Sequence, residues 1–193
     1  ALVAMHAPRD RVQPGASAMR ELGALGRRQV WLTLGIATIG FGGMFAVYTY
    51  LGSTLIEVTG TGPGMLPVVL SVFGMGMTAG TIAAAWAADR ALMTTVGGLL
   101  LWSAASLALY PFAAGHLGTL IPVVFLIGCG GGLGTVLQTR LMDVAGEAQT
   151  LAAALNHSAF NAANALGPWL GGMAIAAGLG AVGAVGLSRR DIG

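Results

Sequence analysis

Among the few polar side chains of this 193-residue sequence, His157, Asn161, Asn164 and Pro168 stand at i, i+4, i+7 and i+11. That spacing lines one face of a helix. Imidazole and carboxamide groups are costly toward lipid, so such a face is expected to look into a helix bundle or a cavity. The chemistry it offers is hydrogen bonding to a solute. The same groups also serve as glue between membrane helices, worth ~1 kcal/mol. His157 is the ionisable side chain that falls well inside an apolar stretch, and an imidazole with a reference pKa of ~6.5 could change its charge during a transport cycle. Tyr48, Tyr50 and Gln138 are further cavity candidates, each joining an apolar body to a polar tip, with plain aromatic packing as the alternative for the tyrosines.

Covalent and redox chemistry find little to work with. The nine basic residues are all arginine, which excludes a P-loop lysine or a Schiff-base lysine. The single cysteine, Cys129, forms no disulfide framework and no zinc spacing. His6, His116 and His157 are scattered, and no serine, histidine and carboxylate combine as a triad, so neither an enzyme, a metal site nor a cofactor is expected. The run GCGGGLG, Gly128–Gly134, lacks the register of a phosphate loop and follows no strand. Gly128/Gly132 and Gly130/Gly134 read instead as helix-packing pairs, as do Gly76/Gly80 and Gly167/Gly171. The sequon Asn156-His157-Ser158 falls at a cytoplasmic membrane boundary, out of reach of glycosylation. Glu57, Asp89, Asp143 and Glu147 all fall at span ends or in loops, so a proton-coupled cycle would have to draw its membrane carboxylate from elsewhere.

The elements that position these residues are membrane spans. Hydrophobic residues make up 55% of the chain and charged ones 8%, against about a quarter charged in a soluble domain. Mean hydropathy is +0.79. The apolar residues lie in blocks close to the ~20 residues needed to cross a bilayer, at about 30–56, 65–88, 94–114, 119–139 and 150–177. Residues 1–29 read as the end of a preceding span (Ala1–Met5) plus a cytoplasmic connecting loop, and 179–193 as a truncated or degenerate C-terminal segment. Because the sequence opens on Ala1, it is expected to begin inside a longer reading frame. The first loop carries five arginines, Arg90 and Arg140 mark two further connectors, and the intervening connectors carry none, so the arginine-bearing loops are assigned to the cytoplasm. The same alternation leaves Arg189 and Arg190 outside, against that tendency. The basic balance reflects few charges overall and gives no reason to expect nucleic acid.

The stretch GMGMTAGTIAAAWAADR (Gly74–Arg90) resembles the cytoplasmic signature of major facilitator transporters, a glycine-rich helix end followed by Asp-Arg. It departs from that signature at Ala85, Trp86 and Ala91–Met93. YTYL (Tyr48–Leu51), LQTRLMDVAGEA (Leu137–Ala148) and LNHSAFNAANALGPWLGG (Leu155–Gly172) look like the drug- and sugar-efflux branch typified by arabinose efflux permeases. The resemblance implies an all-α integral membrane fold with five transmembrane helices, or six if the C-terminal segment supplies one, corresponding to the C-terminal bundle. It also implies a multi-pass place in the bacterial inner membrane, a small sugar or drug-like substrate, proton-coupled efflux by alternating access, and an N-terminal half of the same transporter as partner. Asp89 and Arg90 then stand as candidates for a cytoplasmic gating loop, against the simpler reading of a solvated span boundary. Two rivals remain: an inactive fragment, and a small self-associating channel or subunit.

Overall fold

The computed structural model describes residues 22–146 and 148–190, with side chains as far as residue 177. The segment 1–21, including the remnant span expected at Ala1–Met5 and most of the connecting loop, lies outside the described residues, as do Glu147 and 191–193. Every regular element among the described residues is helical. A backbone in hydrocarbon must satisfy its N–H and C=O groups internally, and long apolar runs with few breakers do so as helices.

After a short 3₁₀ turn at Gly23–Gly26, α1 runs Arg28–Ser53 and continues through a π-type turn at Thr54–Val58. A connector containing Gly60 at φ 70° leads through Pro63–Met65 into α2, Leu66–Ala113. This helix is 48 residues long; straight, it would extend about 70 Å, more than twice the ~30 Å hydrocarbon thickness. It does not run straight. Ala91 is non-helical at φ −157°, ψ 80° and divides α2 into two limbs, at the place where the sequence predicts a connector at Asp89–Met93. Next come α3 (Leu117–Cys129), a 3₁₀ turn at Gly130–Gly132, and α4 (Leu133–Ala145). The apolar block expected as one span at 119–139 is therefore two α-helices joined by a tighter glycine turn. Gly146, at φ 65°, ends α4 in a conformation that only glycine adopts cheaply.

The last helix, α5, extends Gln149–Arg190. An apolar stretch ending near residue 177 is expected from composition, yet the helix continues without a break. Glycines weaken a helix without forbidding it, and the proline in this helix is Pro168, well before that point.

The stretches Arg28–Val58, Pro63–Ala113 and Leu117–Ala145 are each long and apolar enough to cross a membrane. The protein is thus an all-α membrane protein. Its packing has the polarity expected in lipid: Phe41, Leu51, Leu55, Leu120, Ile127 and Leu133 are fully buried, while Ile39 and Phe112 are 82% and 87% exposed. Hydroxyls within the spans, among them Thr38, Thr78 and Thr139, return their hydrogen bonds to carbonyls four residues back, which spares them an unpaired donor in hydrocarbon.

Two cross-connections define the ends of the bundle. At one end Arg27 donates from Nη1 to the Val144 carbonyl at 2.8 Å, joining the start of α1 to the last turn of α4. This also puts a cation where the final carbonyls of α4 lack helical partners. At the other end the Thr59 hydroxyl donates to the Ala114 carbonyl at 2.7 Å and Tyr110 donates to Thr54 Oγ1 at 3.0 Å. The connectors at these two ends belong to the two sets that the arginine count separates.

A polar groove between α4 and α5

The candidate site is assembled from the glycine turn and first turns of α4 and from the second to fourth turns of α5. Gln138 stands one helical turn beyond Thr135 on α4, and Asn156, His157, Phe160 and Asn161 face it from α5. Together with Gly131 and Gly134 they line a groove of about 320 Å³. Thr135, His157 and Asn161 are exposed at its surface, and Gln138 is half-buried. Asn156 lies beneath them, 3% exposed, and its Nδ2 donates to Gln138 Oε1 at 3.4 Å. The floor is aromatic: Phe160 stacks on Phe41 with ring centroids 4.2 Å apart, and Phe45 completes the cluster at 6.2 Å from Phe160. This packing connects the groove to α1. Gly134 sits against the Phe160 ring, where a Cβ would lie 2.7 Å from its Cζ. A side chain there would push the aromatic floor upward.

The groove therefore presents hydroxyl, carboxamide and imidazole groups over an apolar bed, with no carboxylate or arginine among its lining residues. Such a surface suits uncharged solutes that accept and donate hydrogen bonds while stacking an apolar face. Of the residues singled out from sequence, Gln138, His157 and Asn161 meet here. Asn164 is exposed on α5 but is not among the residues lining the groove, and Pro168 is turned toward α1.

The two tyrosines of α1 are placed elsewhere. Tyr50 donates from its hydroxyl to the Pro168 carbonyl at 3.0 Å, tying α1 to α5, and borders a separate cavity of about 500 Å³ that also contains Glu57 and Tyr110. Tyr48, 50% exposed, lies against Phe73 of α2 with ring centroids 5.6 Å apart. Sequence reading passed over Asn156 and Thr135 as site residues. Asn156 carried a signal, since an amide inside an apolar helix requires a partner, but that partner is 18 positions away and becomes visible only once α4 and α5 are paired.

Asp89 and Arg90 occupy the kink of α2, both exposed. The Arg90 guanidinium lies 3.7 Å from the centroid of the Trp86 ring and donates from Nη1 to the Trp86 carbonyl at 2.7 Å. The tryptophan that departs from the signature is thus the residue on which Arg90 rests.

The small residues of α2 meet those around the glycine turn. Gly76 Cα faces Gly128, Gly80 abuts the Cys129 backbone, and Gly132 abuts the Gly80 carbonyl. Gly167 of α5 lies directly on the Gly42 backbone of α1, and Gly171 lies against Tyr50 and Ala46.

Comparison with known proteins matches these helices to a family. The inner membrane transport protein YdhP of Escherichia coli K12 is 36% identical over 162 residues, 83% of this chain and 42% of its own. The MFS-type transporter YfhI of Bacillus subtilis is 33% identical over 156 residues, 80% of this chain and 39% of its own. The chain belongs to the major facilitator superfamily. A chloramphenicol resistance protein of Streptomyces lividans is 32% identical over 155 residues, 77% of this chain and 38% of its own. This member of the superfamily spans about two fifths of the length of those relatives. No family model and no solved structure matches it. The relatives are named for transport or resistance and not for catalysis, in keeping with a chain that is no enzyme. It is a multi-pass protein of the bacterial inner membrane.

Proposed function

We propose that the chain forms the C-terminal half of a secondary transporter that exports a small uncharged solute, a sugar or drug-like compound, by alternating access, with the α4–α5 groove as one wall of the solute cavity. The observation that carries this reading is the convergence of Gln138, Asn156, His157 and Asn161 on one groove of about 320 Å³ in a molecule otherwise short of polar side chains. Polar groups in membrane helices are costly and mark solute or ion pathways. Transporters of this architecture bind near the midplane between two halves that rock about the site. The apolar exposed surfaces of α1 and α2 fit lipid, and the partner needed to close the cavity is an N-terminal half of the same protein. Proton coupling would use a carboxylate of that other half.

The resistance named for the Streptomyces relative makes chloramphenicol the first solute to test, beside arabinose as a small sugar. The full-length protein would be expressed in a sensitive bacterial host and efflux followed in everted vesicles under a proton gradient. Asn161→Leu is expected to lower the rate about tenfold at unchanged membrane abundance, the loss of roughly one hydrogen bond to solute. An equal reduction from Ile39→Asn, on a surface away from the groove, would argue against the assignment.

A further inference from the structure

A cavity larger than the polar groove lies away from it. It is a cleft of about 610 Å³ between the two limbs of α2, closed at its base by Gly80 and Cys129. It exists because α2 folds at Ala91, so its limbs splay from the kink and small residues on both sides leave the space unfilled. Alanines, Gly98 and Leu99 line the interior, and Trp86 and Trp102 form the two walls. Trp86 is 62% exposed and Trp102 44% exposed, with the Trp102 indole fixed by a 2.9 Å hydrogen bond to the Leu126 carbonyl. One charged residue lines the cleft, Arg90, at the kink; neighbouring Asp89 is not part of the lining. The result is an apolar slot with tryptophan walls and a cation at the end assigned to the cytoplasm, where the membrane surface carries anionic lipid.

We propose that this cleft binds one anionic phospholipid of the inner leaflet, an acyl chain lying between Trp86 and Trp102 and the phosphate meeting the Arg90 guanidinium. The charge complementarity is specific. Arg90 spends one N–H on the Trp86 carbonyl, and a guanidinium has five, leaving donors in a fork that matches phosphate oxygens. Its stacking on Trp86 holds the fork at the rim and limits the entropy lost on binding. Threonines 94 and 95 border the same rim, and Thr95 already donates to the Ala91 carbonyl, so the arginine is the principal recognition element.

Tryptophan quenching by brominated lipid tests this directly. The full-length protein, with Trp86 and Trp102 as its only remaining tryptophans, would be reconstituted in phosphatidylcholine vesicles containing either brominated phosphatidylglycerol or brominated phosphatidylcholine at equal mole fraction. Phosphatidylglycerol is expected to quench with about fivefold higher affinity, the preference that one arginine near the surface supplies. Arg90→Gln is expected to abolish the preference while phosphatidylcholine still quenches. Gly98→Leu, which enters open space, is expected to fill the slot and weaken quenching by both lipids without loss of folded protein. Equal quenching by the two lipids, a preference that survives Arg90→Gln, or the absence of quenching because another part of the protein covers the cleft would each overturn the proposal.

Discussion

Asn156 and Tyr50 are two polar side chains whose hydrogen bonds hold helices together, and they differ in what each can be asked to do. Asn156 is buried under the groove and pairs with Gln138, so it supports the polar surface from below. Asn156→Leu should lower solute flux and also shift thermal unfolding of the detergent-solubilised protein, by about 1 kcal/mol for the lost interhelical amide contact. Tyr50 spends its hydroxyl on the Pro168 carbonyl, so Tyr50→Phe should cost about 0.5–1 kcal/mol of stability and leave solute selectivity unchanged; a changed selectivity would show that Tyr50 reaches the solute. Sequence spacing could place His157 and Asn161 on one face of a helix, because helical periodicity is a local property. It could not show that Tyr48 leans on Phe73, or that Tyr50 reaches α5, since both are decided by which helices become neighbours.

At the scale of elements, the helices were legible because hydrocarbon leaves a long apolar run little alternative. Their interruptions were less so. The kink at Ala91 takes one residue out of helical geometry, where composition suggested a five-residue connector, and the 3₁₀ turn at Gly130–Gly132 falls on a glycine run that reads from sequence as helix-packing pairs. The contacts between α2 and this turn make a sharp contrast among glycines. A Cβ on Gly80 would lie 2.5 Å from Cys129 Cα, whereas one on Gly74 meets nothing within 4 Å. Gly80→Leu should therefore destabilise the protein by about 3 kcal/mol or more and reduce transport, because the obstacle is backbone. Gly74→Leu should be tolerated. Similar melting temperatures for the two variants would contradict the close approach of α2 and the Gly130–Gly132 turn.

For the whole molecule, the bundle separates an end bearing Arg27 from an end tied by Thr59 and Tyr110, and between them exposes large apolar side chains in quantity. That surface fits lipid, as an all-α membrane protein requires. The polar groove is the exception to it, and it can meet a solute only by facing water instead of lipid. The most direct measurement is thiol accessibility: in a Cys129→Ser background, Asn161→Cys and Ile39→Cys would be introduced separately into the full-length protein and treated with a membrane-impermeant maleimide from either side of oriented vesicles. Labelling of Asn161→Cys from both sides, slowed by solute, with Ile39→Cys unlabelled, is the predicted result. Two equally unreactive positions would mean that the α4–α5 groove is sealed or faces lipid, and would contradict its place in a transport pathway.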